Sequence, residues 1–180
     1  TFDSLQMRAS GRDFSYDVSL NATGPLIGHG DAGYSMKSAS GQASYYYSQP
    51  AFDLAGLLTI EGQDIPVTGR AWLDREWSSQ PLAANQTGWD WFSLGFEDGT
   101  KMMGFLLRQS DGSSYSSATW ITADGQPTAF PDGAFQASVL GSSQSGGRMV
   151  PTRWQVQLPE RGVDVTVEAI NTDSWMATIV

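Results

Sequence analysis

The sequence holds no cysteine, which excludes disulfides, thiolate catalysis and cysteine-ligated zinc. It leaves the cellular compartment open. A single histidine, His29, stands without any recognisable metal-ligand spacing around it, so neither a metal nor a cofactor is expected. Positive charge is also scarce: ten Lys and Arg face nineteen Asp and Glu, for a net charge of −9 and a pI near 4.3. That balance argues against nucleic acid as a partner, and no basic amphipathic stretch offers itself to an anionic bilayer. No apolar run approaches the roughly 20 residues of a membrane-spanning helix, and no signal peptide is visible. A helical period sustained over about 11 residues is missing everywhere. So is the G-x-S-x-G turn of a serine hydrolase.

What the chain has instead is glycine and aromatics: 20 Gly, seven Trp, six Tyr and eight Phe in 180 residues. Turn signals recur about every 8 to 14 residues, the pattern of an all-β sandwich or barrel. Phe2 to Arg8 and Asp13 to Asn21 read as a hairpin, with Phe14, Tyr16, Val18 and Leu20 in one core-facing row. Ser44 to Ser48, SYYYS, reads as a short aromatic strand ended by Pro50, with Tyr45 and Tyr47 sharing a face. Leu54 to Glu61 turns through Gly62-Gln63-Asp64 into the next strand. Asp-Gly pairs at 98–99, 111–112 and 124–125 punctuate the following strands, and such pairs between apolar runs signal hairpins. Ser142 to Gly147 reads as a loop, and Pro151 to Leu158 pairs with Val163 to Ile170. From about residue 54 the strands form an up-and-down meander, whose closure into a barrel would remove its edges. The Asn-x-Thr sequons at Asn21 and Asn85 are too short a motif to carry glycosylation by themselves. The chain opens on Thr1 and closes on the apolar run Trp175 to Val180, and we expect it to be a piece of a longer protein.

The most unusual strand is VTGRAWLDREWSSQ, Val67 to Gln80, where aromatic residues alternate with charged ones. Residues two apart on a strand share a face. Thr68, Arg70, Trp72, Asp74 and Glu76 therefore share one face, and Val67, Gly69, Ala71, Leu73, Arg75 and Trp77 the other. The second face reads as packing. The first sets two carboxylates about 6.5–7 Å apart beside a Trp and an Arg. Two readings stay open. Arg70 could neutralise Asp74 or Glu76 in an ion-pair ladder that fixes register. Alternatively, the face lines a cavity in which one carboxyl of a coupled pair holds a proton and acts as a general acid. Trp rings beside it would stabilise a developing carbocation.

Two further stretches carry candidates. In GWDWFSLGF, Trp89, Trp91 and Ser93 share one face and Asp90, Phe92, Leu94 and Phe96 the other; the Trp row is either core or ligand wall. Buried indole N–H groups need acceptors, for which Asp74 and Glu76 are candidates. His29, in GHGD, is either a loop histidine or a base oriented by Asp31 at a cavity mouth.

The blocks ASYYYSQP, VTGRAWLDREWSSQ and GWDWFSLGFEDGTKMMGFLLR, in this order and spacing between about Gly28 and Trp154, resemble the AttH-like family that includes the carotenoid 1,2-hydratases. The specific core is Trp72-x-Asp74-x-Glu76-Trp77 followed by Gly88-Trp89-Asp90-Trp91. The resemblance implies a lipocalin-like antiparallel meander barrel, one of two in tandem. Residues 1–45 would then be the end of a first domain and residues 46–180 a second domain lacking its last strands. It also implies cofactor-independent addition of water across a terminal isoprenoid double bond, with Asp74 as the acid and Glu76 as its catalytic neighbour. Trp72, Arg70, Trp89, Trp91, Tyr45, Tyr47 and His29 would contact an apolar isoprenoid or lipid ligand. Other members are exported proteins described as secreted hydrolases, and Arg75, where some members carry His, places this sequence nearer to them. A periplasmic or exported location, with peripheral membrane association, follows from that branch. A non-catalytic lipid carrier is the alternative.

Overall fold

The computed structural model describes residues 3–79, 82–173, 175 and 176. The expected first-strand start at Phe2, the loop start at Pro81 and the end of the Trp175 to Val180 run lie outside the described residues. Among the described residues thirteen strands form three antiparallel sheets, and the sole helical segment is a 3-10 turn at Pro159–Arg161. The all-β expectation holds.

The first sheet contains β1 (Ser4–Ser10), β2 (Phe14–Ala22), β3 (Ile27–Gly28), β4 (Tyr34–Met36), β5 (Ala43–Ile60) and β6 (Gln63–Trp77). Its spine is β5, 18 residues long, which pairs along one edge with β2, β3 and β4 in turn and along the other with β6. Sequence reading ended a strand at Pro50, but β5 runs through it. The register passes from Gln49 opposite Leu73 to Phe52 opposite Ala71, so β5 carries one extra residue there. In such a bulge the partner strand asks no N–H of the proline.

The bulge decides which side chains meet. Counted from the β5–β6 turn without it, Tyr47 would stand opposite Glu76. With it, Tyr46 stands opposite Glu76 and Ser48 opposite Asp74, whereas beyond the bulge Asp53 stands opposite Arg70. Arg70 accordingly pairs with Asp53 at 2.7 Å, both largely exposed, and does not neutralise Asp74 or Glu76.

The second sheet holds β7 (Gln86–Gly95), β8 (Lys101–Gln109), β9 (Ser114–Ile121) and β10 (Pro127–Phe130); the third holds β11 (Gln136–Ser145), β12 (Arg148–Leu158) and β13 (Val163–Glu168). The Asp-Gly turns form as expected. At two of them Asp98 Oδ1 and Asp111 Oδ1 each accept a backbone N–H two residues on, at 2.9 Å. The glycines that follow take left-handed φ values of 85° and 86°, which glycine adopts without strain. Ser142 to Ser145, expected in a loop, instead extend β11 and pair with Arg148 to Pro151.

The second sheet is the middle layer, and its strand β8 is buried on both faces. Met103, Phe105 and Leu107 of β8 pack with Tyr46 and Trp72 of the first sheet. Met102 and Leu106 pack with Phe92, Phe135, Val156 and Leu158 toward the third. A strand covered on both faces reads as a nearly unbroken apolar run, and KMMGFLLRQ is one. The fold is lipocalin-like, but the barrel is not closed: among the described residues no ladder joins β6 to β7 or β10 to β11. A middle sheet packed on both faces stacks as a layer, whereas closure would leave one face of it outside.

A third apolar cluster, Val18, Leu20 and Phe52 with Ala71 and Leu73, covers the other face of the first sheet. Phe14, expected in that row, is 49% exposed at the strand end. Within this sheet Gly56 faces β2 so closely that an added Cβ would run into the Asp17 carbonyl oxygen and lie 2.6 Å from Val18 Cα. Beside Gly69 a Cβ would meet nothing within 4 Å. Gly56→Ala should therefore cost about 1–3 kcal/mol in urea unfolding, while Gly69→Ala should stay within about 0.5 kcal/mol of the parent.

Candidate functional site

The strand face carrying Trp72, Asp74 and Glu76 meets the second sheet, and the polar residues between them form one connected set. Asp74 Oδ1 accepts three hydrogen bonds: from Trp72 Nε1–H at 2.8 Å, from Tyr46 Oη–H at 3.1 Å, and from Ser48 Oγ–H in a short contact. Trp91, across on β7, donates its Nε1–H to Tyr46 Oη at 2.9 Å. Among the described residues no donor is placed on Asp74 Oδ2.

His29 extends the set into the core. It is fully buried, with Nε2 at 2.6 Å from Ser48 Oγ and Nδ1 at 2.9 Å from Thr119 Oγ1. Its ring lies 4.3 Å from that of Tyr46. His29 is thus not the surface or loop histidine of the first reading, and Asp31 does not orient it as the second required: Asp31 bonds through its backbone to Tyr34. Burial, with the positive charge of Lys37 second, pushes the imidazole down to about 3, so it is neutral at pH 7. Ser48 has one proton and gives it to Asp74, which makes His29 Nε2–H the donor to Ser48 and Nδ1 the acceptor from Thr119. Tyr46 is likewise held neutral. Burial first, and the nearby Asp74 carboxylate second, push its phenol above the ordinary range.

Beside this set opens a cavity of about 360 Å³, lined by Tyr46, Trp91, Trp89, Phe105, Leu107 and Leu82, with Lys37 and Glu76 as its charged residues and Ser44, Gln42, Ser78 and Gln86 as further polar ones. Lys37 Nζ lies 2.6 Å from a Glu76 oxygen and sits over the rings of Phe105 and Tyr46, 4.0 and 4.9 Å from their centroids. Ser44 Oγ–H donates to the same Glu76 Oε1 at 2.6 Å. Burial lowers the Lys37 amine below the ordinary lysine range, against the pull of Glu76.

Set against the sequence reading, Glu76, Trp89 and Trp91 reach the cavity wall. Asp74 and Trp72 share their face but lie one layer behind it, beyond Tyr46. His29 joins Asp74 through Ser48. Arg70 is elsewhere, on Asp53. Tyr45 and Tyr47 point to the outer face, where both contact Trp77 with ring centroids 5.8 Å apart; Trp77, half-exposed, also reaches the cavity rim. The bulge in β5 is the reason: it exchanges the face of Tyr46 for that of its neighbours. Ser48, Tyr46, Thr119 and Lys37 were not singled out from sequence. Ser44, Tyr46 and Ser48 do alternate within SYYYS, which was a signal; Lys37, in a Gly- and Ser-rich segment, carried none. Among the described residues no group of three His, Cys, Asp or Glu is placed to hold a metal ion.

The AttH-like family model matches residues 1–180. The crystal structure of a protein from Nitrosomonas europaea assigned as an AttH superposes with a TM-score of 0.81 at 35% identity, covering 86% of this chain and 50% of that one. The crystal structure of kievitone hydratase from Nectria haematococca superposes with a TM-score of 0.71 at 18% identity, covering 87% of this chain and 49% of that one, a likeness of fold alone. The chain thus spans about half the length of each. No curated protein matches it.

The neutral, buried His29 sets a pH dependence. Its folded-state value of about 3 lies below the ordinary 6.5, so the unfolded chain binds the extra proton. The stability this group contributes is complete above pH 6.5 and is lost as pH falls from there toward 3, with a slope of up to about 1.4 kcal/mol per pH unit. Melting temperatures of the parent and His29→Gln between pH 7 and 4 should converge as pH falls. Parallel curves would show that folding does not disfavour the charged imidazole, contrary to its burial.

Proposed function

Because the chain belongs to the AttH-like family, we propose that it binds an apolar isoprenoid- or lipid-like small molecule in the aromatic cavity and hydrates a double bond of it by acid catalysis. The observation that carries this reading is the position of Tyr46: the residue lines the cavity, and its hydroxyl donates to Asp74. In this scheme the Asp74 carboxylate first takes up a proton from water and then hands it to Tyr46 Oη as Tyr46 gives its own to an alkene carbon. The π bond breaks, a C–H bond forms, and the adjacent carbon becomes a tertiary cation. Trp72 N–H and Ser48 O–H then hold the Asp74 carboxylate. Water adds to the cation, and its surplus proton returns through Tyr46 to Asp74, so the sum is alkene plus water to alcohol and the acid is restored. The Trp91 ring, in the cavity wall, suits a passing cation. No cofactor takes part in this scheme.

The fold likeness to a protein named as a hydratase agrees with this reading. A non-catalytic carrier is the second reading, and one observation favours it: Asp74 and Trp72 contribute nothing to the cavity wall, so the ligand meets the acid only through Tyr46. In either case we place the protein in the periplasm or outside the cell, where contact with a membrane surface would supply the ligand.

The test is incubation with an isoprenoid alkene carrying a terminal double bond, with mass spectrometry for a product heavier by one water. Tyr46→Phe and Asp74→Asn should each lower turnover by about 100-fold or more while ligand affinity stays within about threefold. Retention of unmodified alkene by the parent protein would establish the carrier instead.

A further inference from the structure

The cavity wall is largely aromatic and aliphatic, and its two charged residues, Lys37 and Glu76, meet there beside Ser44. An ammonium group has three N–H donors. One points at Glu76 Oε1, 2.6 Å away, and among the described residues no second acceptor is placed on Nζ. Ser44 donates to that same Oε1, which leaves Oε2 without a donor among the described residues. The pair is held from behind by the Phe105 and Tyr46 rings, and Gln86 Nε2–H fixes the Lys37 backbone carbonyl at 2.8 Å. It is therefore a positioned pair with an open donor and an open acceptor side by side.

The chemistry of that pair selects a ligand group. Its net charge is zero, so an anionic head would gain from Lys37 what it loses against Glu76. A hydrocarbon would cover both charges and return no hydrogen bond, leaving polar groups buried and unpaired. A hydroxyl accepts from Lys37 and donates to Glu76 at once. We propose that Lys37 and Glu76 form a hydroxyl-recognition site, and that the ligand is a neutral amphipathic alcohol whose apolar chain runs along Trp91, Trp89 and Leu107. This rests on the reading of the cavity as the ligand site and adds the polar end of the molecule to it.

Three probes of equal chain length decide it: dodecan-1-ol, dodecane and dodecanoate, titrated against the tryptophan fluorescence of the whole chain. The parent protein should bind the alcohol at least about 10-fold more tightly than either of the others, as a hydrogen bond to a charged group supplies. Lys37→Met should remove about 10-fold of alcohol affinity and leave dodecane within about twofold; near-ultraviolet circular dichroism checks that the variant is folded. Equal affinity of the parent for alcohol and alkane, or a preference for dodecanoate, overturns the hydroxyl site and leaves the apolar cavity standing. A uniform loss for all probes in a folded Lys37→Met variant also overturns it. If none of the three binds the parent, the cavity reading falls as well.

Discussion

A carboxylate held between two β-sheets must be met by donors, because a charge withdrawn from water without hydrogen bonds costs several kcal/mol. Asp74 is that carboxylate, and much of the centre of the molecule follows from serving it. Trp72 supplies an indole N–H from its own strand, Ser48 a hydroxyl from directly across the ladder, and Tyr46 a phenol from the next same-face position. Each of these is tied onward. Ser48 leads to His29 and Thr119, and Tyr46 leads to Trp91. Thr119 and Trp91 belong to the second sheet, so the chain of bonds that satisfies one carboxylate also docks two sheets. The apolar contacts of Tyr46 and Trp72 with Met103, Phe105 and Leu107 close around it.

The same constraint separates two polar sites with different characters. Asp74 is half-buried, reached from the cavity through one phenol, and backed by a histidine too buried to charge at neutral pH. Glu76, two residues along the same face, is paired with a lysine on the cavity wall. A proton-moving role fits the first, because Tyr46 can pass a proton without a change in its own net charge. A recognition role fits the second, because a fixed ion pair offers directional hydrogen bonds. Strand alternation alone places both carboxylates on one face; the packing of Tyr46 between Asp74 and the cavity, with Glu76 on the wall itself, gives them different surroundings.

Much of this was legible in the sequence, and the rest failed for one physical reason at a time. The faces of β6 and β7 followed from alternation, so Asp74 and Glu76 on one side, and Phe92 and Leu94 on the other side from Trp91, came out as read. The Asp-Gly turns fixed their hairpins because Gly99 and Gly112 supply the left-handed backbone the turns need. The bulge beside Pro50 was not legible, since the proline looked like a strand end. That one inserted residue puts Tyr46, and not Tyr45 or Tyr47, on the face of Asp74 and Glu76. Lys37 and His29 arrive from irregular segments whose path depends on long-range contacts, to Glu76 in one case and Thr119 in the other, that periodicity does not encode. Barrel closure failed for a similar reason: KMMGFLLRQ looks like any buried strand, and only the packing shows both of its faces covered.

The central claim is that ligand enters between the first and second sheets, against Tyr46 and its bonded indole, and not between the second and third. The indole N–H resonances of 15N-labelled protein during titration with dodecan-1-ol test it most directly. The account predicts that Trp89 and Trp91 shift while Trp120 and Trp154, packed at the other face of the second sheet, stay in place. Shifts at Trp120 and Trp154 with Trp91 unmoved would contradict it.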